Sequence, residues 1–197
     1  MAQITIELIQ QLREKTGIGM MDCKKALTEA NGDIEKAIEI LRKKGANIAA
    51  KRAGNDAKNG LVHAYIHPGA KVGILLEISC ETDFAANTDS MKEFAKDICM
   101  QIAAASPLCI NPEELDKALI EKELEIIKDQ LKQSGKPENL IAKIADSKLE
   151  KFYEISCLMN QKFIKNDKIS VQDLLNDLIA KIGESIKIKR FARYQIG

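Results

Sequence analysis

The chain has no tryptophan, and only 4% of its 197 residues are aromatic. Stacking platforms for single-stranded nucleic acid are therefore not expected. No charge sign dominates: 30 Lys and Arg face 29 Asp and Glu, a net charge of +1. That balance excludes a strongly basic nucleic-acid coat and an acidic tail protein. Its longest uncharged run, Ile98 to Pro112, holds two prolines and falls short of the about 20 apolar residues a membrane span needs. Met1-Ala2-Gln3-Ile4-Thr5 has neither a basic nor an apolar targeting region, so a cytoplasmic protein is expected. The five cysteines, Cys23, Cys80, Cys99, Cys109 and Cys157, form no CxxC pair. Their odd number and wide spacing suggest thiols in a reducing compartment rather than a zinc site or a disulfide framework.

Catalytic signatures are equally scarce. Ser134-Gly135-Lys136 lacks the earlier glycine of a phosphate-binding loop and is followed by Pro137. His63 and His67 have metal-like spacing, but four residues of strand span about 13 Å, too far for one ion. No Ser or Cys stands beside a His in a nucleophile motif. The expectation is a protein that is not an enzyme and carries no cofactor.

Charge is unevenly distributed: +3 over residues 1–59, −6 over 60–180 and +4 over 181–197. The first segment reads as three short helices. Ile4, Leu8, Ile9 and Leu12 have helical spacing before Gly17 and Gly19. Met20, Cys23, Leu27 and Ala30 line a second helix, and Asn31-Gly32 tolerates the positive φ of its stop. Asp33 then caps a third, carrying Ile34, Ala37, Ile38 and Leu41 and closed by Gly45. Residues 46–59 read as a short helical linker.

From Gly60 the period changes. Alternation from Leu61 to His67, Pro68-Gly69, and the apolar run Val72 to Ile78 predict a β-hairpin. Gly73-Ile74-Leu75-Leu76 is apolar on both faces, as expected if helices cover one and a sheet or a subunit the other. Ser90 and Glu93 predict a capping box for a long helix ended by Pro107. Asn111-Pro112-Glu113-Glu114 predicts the next helix, stopped at Gly135. Another runs from Pro137 toward Asn160, a last one from Ser170 through Ile182, and Ile186 to Tyr194 alternates like a strand. The class is α+β, helix-dominated, with a small antiparallel sheet.

Three features exceed what packing requires. Met20-Met21-Asp22-Cys23-Lys24 puts two methionines at a glycine-rich corner, where they either fill a small core or face a partner. Thr82-Asp83-Phe84-Ala85 lies between strand and helix, where Phe84 reads on composition as a staple beneath the helix. Lys187, Lys189, Arg190 and Arg193 make the last strand basic, yet four charges would give weak nucleic-acid affinity. A helix-turn-helix DNA-binding protein and an adaptor without further activity are the rival classes. The candidate recognition helix offers mainly Lys24, Lys25, Thr28 and Glu29, a poor base-reading set.

Taken together, these segments resemble the bacterial elongation factor Ts family. Leu12-Arg13-Glu14-Lys15-Thr16-Gly17-Ile18-Gly19-Met20-Met21-Asp22-Cys23-Lys24-Lys25-Ala26-Leu27, continued by Ala30-Asn31-Gly32-Asp33, is similar to its N-terminal signature, and Glu81-Thr82-Asp83-Phe84 to its second. Gly135-Lys136-Pro137-Glu138-Asn139, Lys151-Phe152-Tyr153 and Arg190-Phe191-Ala192-Arg193-Tyr194 resemble its C-terminal region.

The resemblance implies a guanine-nucleotide exchange factor for elongation factor Tu in translation. It also implies a ubiquitin-associated-like three-helix domain over residues 1–55 and an α/β core and dimerisation domain over 56–197. Met20, Met21, Asp22, Cys23 and Lys24 would bind the partner. Thr82, Asp83, Phe84 and Ala85 would dislodge its Mg²⁺, with Phe84 as an apolar wedge rather than a staple. Longer members carry two related halves in their core. A short chain such as this one is expected to form a homodimer, with no direct nucleic acid or membrane contact.

Overall fold

A computed structural model describes residues 4–134 and 137–197. The expectations for Met1–Gln3, the helix stop at Gly135 and the Gly135-Lys136 part of the C-terminal motif lie outside those residues. Among the described residues eight α-helices and five strands follow in order: α1 Ile6–Thr16, α2 Met20–Glu29, α3 Ile34–Arg52, β1 Asn59–Ile66, β2 Val72–Cys80, α4 Asp83–Asn87, α5 Asp89–Ala105, α6 Lys117–Gln133, α7 Glu138–Ser156, β3 Lys162–Phe163, β4 Asn166–Ser170, α8 Val171–Ile182 and β5 Ile186–Gln195. The fold is α+β and helix-rich, and none of the described helices is long and apolar enough to cross a membrane. Two compact units are formed: residues 1–64, 75–97 and 172–192, and residues 65–74, 98–171 and 193–197.

In the first unit, α1 to α3 close over Ile9, Leu12, Ile18, Cys23, Ala26, Leu27, Ala37 and Leu41. Local chemistry sets the ends. The Leu8 amide donates to Thr5 Oγ1, Gly17 leaves α1 with φ +67°, and Asp33 accepts from the Glu35 and Lys36 amides to start α3. Gly45 does not close α3; it is buried within a helix that runs on to Arg52, absorbing the first half of the expected linker. The reason lies on α8. A β-carbon at Gly45 would stand 3.1 Å from both Ala180 Cβ and Asn176 O, so the glycine serves close helix approach rather than termination.

The sheet has the order β1-β2-β5. Ser185, just before β5, donates its amide to Glu81, just after β2, at 2.6 Å. At the other end Ile196 donates to Lys71 at 2.9 Å, so β5 runs antiparallel to β2. Leu76 and Ile78 are buried, whereas Leu75 on the opposite face is 49% exposed. Around Leu75 the second face of the sheet is thus open in the single chain.

Two expected helix starts move. Thr88, not Ser90, opens α5: its hydroxyl donates to Ala85 O and accepts the Met91 amide, joining the end of α4 to the next helix. Asn111-Pro112 begins only a single 3₁₀ turn, because Glu114 folds back on the Ile110 amide and the Asn111 side chain. Asp116 caps α6 instead, through the Ala118 amide. In the second unit α6 and α7 pair through Ile127, Leu131, Ile141 and Ala145. The two-stranded β3-β4 hairpin that follows has no counterpart in the sequence reading. It is pinned by buried Gln101, which donates to Gln161 Oε1 and Lys162 O and accepts from the Ile164 amide.

Gly60 tests the β1-β2 pairing. It has φ +154°, and a β-carbon there would overlap Ile78 O and lie 2.8 Å from Ser79 Cα. Gly60→Ala is expected to lower unfolding free energy by about 2–4 kcal/mol, combining strained backbone with overpacking. Urea denaturation followed by circular dichroism measures it.

Candidate functional site

The hairpin leaves β2 at Cys80, and the chain must turn within a few residues to begin α4. Thr82 makes that turn in extended conformation and caps the helix, its Oγ1 accepting the Ala85 amide at 3.3 Å. The cap is itself held. Thr82 donates its amide to Glu184 Oε2 at 3.0 Å and its hydroxyl to Glu184 Oε1 at 2.7 Å. Next to it, Glu81 Oε1 accepts from the Ser185 amide at 2.6 Å, Arg52 Nη1 at 2.9 Å and Asn55 Nδ2 at 3.1 Å. Each of two adjacent residues on one strand exit is therefore bonded to one of two adjacent residues on the α8–β5 turn. Asn59 adds a bond to Glu81 O, and the Cys80 thiol donates to Thr82 O at 3.1 Å.

Within this five-residue helix Ala85 and Ala86 are buried. Phe84 points the other way and is 89% exposed, the highest value of any large apolar side chain described. It is not a staple. Its neighbour Asp83 is exposed, and the Asp83 carbonyl is bonded by Asn87 Nδ2. A fully presented phenylalanine on a polar, rigid turn is suited to insertion into an apolar cleft of another molecule.

The glycine-rich corner is built separately. Gly17 and Gly19 bracket Ile18, whose carbonyl accepts the Cys23 thiol at 3.5 Å, while Thr16 bonds back to Leu12 O. Cys23 is fully buried and anchors the start of α2. Above it Met21 is 66% and Met20 39% exposed, so the two methionines do not fill the three-helix core. Lys24 is exposed, and Asp22 pairs with Lys44 of α3. The outer surface of this corner is therefore Met20, Met21 and Lys24. It shares a unit with the Phe84 turn, but each is held by its own hydrogen bonds.

Over residues 3–197 the chain matches the family described as Elongation factor TS. It belongs to that family. It is 55% identical over 194 residues to the elongation factor Ts of Thermoanaerobacter sp. (strain X514), covering 98% of this chain and 95% of that protein. Against the elongation factor Ts of Desulfosudis oleivorans it is 51% identical over 197 residues, the whole of both chains. The elongation factor Ts of Anaeromyxobacter sp. (strain K) is 54% identical over 197 residues, all of this chain and 90% of its own. Membership in the elongation factor Ts family places the chain among translation elongation factors.

Other features singled out in the sequence have local partners. In the basic strand Arg190 Nε donates to Glu77 at 2.6 Å, Lys187 to Ala53 O at 2.6 Å and Arg193 to Ala103 O at 3.4 Å. His67 Nδ1 lies 3.2 Å from the Tyr65 hydroxyl. Among the described residues no cluster of three His, Cys, Asp or Glu is arranged to hold a metal. The sequence reading missed Glu184, Arg52 and Asn55 because they lie far along the chain from Thr82.

The Ser185 amide, then Asn55 and Arg52, hold the Glu81 carboxyl below the usual 4.5. Its charged form is the one the fold favours. That contribution is therefore complete above about pH 4.5 and disappears as pH falls through the lowered folded-state value. Glu81→Gln is expected to flatten the acid limb of a stability-versus-pH curve. A remainder stays with Asp33 and Glu7, which backbone amides also hold low. Equal acid limbs for the two proteins would contradict the assignment.

Proposed function

We propose that this chain is the guanine-nucleotide exchange factor for elongation factor Tu, and that its Phe84 turn dislodges the partner's Mg²⁺. The observation that carries the reading is Phe84 itself, 89% exposed at the start of a helix fixed by Glu81 and Glu184. An exposed side chain forfeits in the free protein the about 1.5–3 kcal/mol that burial of a phenylalanine is worth. Insertion between helices of the partner recovers it. Because those helices support a phosphate–Mg²⁺ site, moving them removes charge stabilisation without any covalent step.

The energetics follow from linkage. A factor that binds the nucleotide-free partner more tightly than the GDP form weakens GDP binding by the same ratio. Thr82 keeps the turn capped, Asp83 supplies polar contacts beside the wedge, and Ala85 lets the helix sit close to the core. The Met20, Met21, Asp22, Cys23, Lys24 corner holds the partner's nucleotide-binding domain. Its two exposed methionines adapt to the apolar surface, Lys24 adds charge, and Cys23 fixes the corner from beneath. No group of the chain reacts, so the protein is an exchange factor and not an enzyme, and it works without a cofactor of its own in the cytoplasm.

Residues 1–55 serve as a ubiquitin-associated-like domain and 56–197 as the core. The uncovered sheet face supports a homodimer. Val62 is 63% exposed and Leu75 49%, and together with Glu77, Arg190, Phe191 and Ala192 they line a groove of about 290 Å³. A second copy laid on that face would bury what the single chain leaves open.

Release of a fluorescent GDP analogue from elongation factor Tu tests the proposal. Wild type accelerates release, and Phe84→Ala is expected to reduce the acceleration about tenfold to a hundredfold, the equivalent of one buried phenylalanine. Undiminished release with the variant would move the mechanism to the methionine corner. No acceleration by wild type would remove the exchange reading and leave an adaptor.

A further inference from the structure

At the base of the α6–α7 hairpin, two cysteines 48 positions apart in sequence meet. Cys109 precedes the 3₁₀ turn into α6 and Cys157 follows α7. Their backbones form a parallel bridge: the Cys109 amide donates to Ser156 O and the Leu158 amide to Cys109 O. Bridged strands lie about 4.8 Å apart. That is within the about 4.4–6.8 Å between α-carbons that a disulfide requires. Both side chains turn into one small cluster with Leu115, Ile120, Phe152 and Tyr153, and the Cys109 thiol donates to Cys157 Sγ at 3.5 Å. No other pair of the five cysteines is in hydrogen-bond contact among the described residues.

We propose that Cys109 and Cys157 are a dithiol modification site, closed to a disulfide by a low-molecular-weight disulfide and clamping the α6–α7 hairpin at its base. Access defines the order of steps. Cys109 is 8% exposed and Cys157 fully buried, so Cys109 is the entry. Its thiolate attacks one sulfur of the small disulfide, forming a mixed disulfide and expelling the other half as a thiolate. Cys157, already in contact, then attacks the Cys109 sulfur. The second half leaves as a thiolate, and the protons released by Cys109 and Cys157 go to the two leaving groups. Two protein thiols are oxidised and one small disulfide is reduced to two thiols.

Burial, reinforced by Glu113 and Glu114, pushes Cys157 up to about 12 and Cys109 up as well, so both are thiols at neutral pH. Formation of the first bond is therefore slow, and closure of the second is fast by proximity. The bridge closes a loop that contains both helices, and it restricts the open states of that hairpin in which its core is lost.

Full-length reduced protein is incubated with oxidised glutathione under native conditions and analysed by intact mass and peptide mapping. The expected product has lost two hydrogens and carries a single Cys109–Cys157 link, formed at least about tenfold faster than glutathione adducts on Cys23, Cys80 or Cys99. Cys157→Ser should instead accumulate the adduct on Cys109. Wild type alone decides the matter if that variant does not fold. A link that forms only after addition of urea, or adducts elsewhere with Cys109 and Cys157 intact, would overturn the site. Amide exchange over residues 110–156 should slow in the oxidised protein; unchanged exchange would overturn the clamp.

Discussion

Two carboxylates cross where β2 ends and β5 begins. Glu81 reaches forward to the Ser185 amide, and Glu184 reaches back to the amide and hydroxyl of Thr82. Hydrogen bonds to charged groups are stronger than neutral ones. Here they also act at a junction where the backbone has few sheet bonds left to make. Arg52 and Asn55, at and beyond the end of α3, join the same carboxylate. One clasp thus ties the three-helix segment, the hairpin and the last strand at the point from which α4 projects.

That arrangement explains how a five-residue helix can carry a bare phenylalanine. An isolated helix of this length has no stability of its own. Burial of Ala85 and Ala86, the Thr82 cap and the Thr88 link to α5 give it a fixed direction. Phe84 is consequently presented in one orientation rather than left to collapse onto its own protein. Preorganisation of this kind lowers the entropic cost of inserting a side chain into a partner. The methionine corner uses the opposite device, two flexible side chains over a fully buried Cys23, and so it can follow a surface that changes shape.

What could be read from the sequence was what depends on near neighbours. The Ile34, Ala37, Ile38, Leu41 period, the Asp33 cap, the Pro68-Gly69 hairpin and the alternation from Ile186 are settled within a few residues, and each stands in the fold. Gly45 looked like a stop because its role depends on Ala180 and Asn176 across a helix interface. Ser90-Glu93 was a sound capping pattern overridden by Thr88, which had a second partner in Ala85 O. Asn111-Pro112 likewise lost to Asp116 once Glu114 turned back. At the Phe84 turn, residue types alone favoured a staple. Its direction depends on Glu184, which holds Thr82 from 102 residues along the chain, and only the resemblance to a family pointed to it beforehand.

Because the chain lacks tryptophan, one substitution can report on both the geometry and its use. Phe84→Trp places a single indole at the tip of the turn. If the turn presents its side chain to solvent and inserts it into elongation factor Tu, the free protein emits at long wavelength and is quenched freely by iodide. Addition of a tryptophan-free elongation factor Tu in its GDP form then shifts emission to the blue and protects it. An indole already shielded in the free chain would contradict the presentation of residue 84. An exposed indole unchanged by the partner would contradict the wedge.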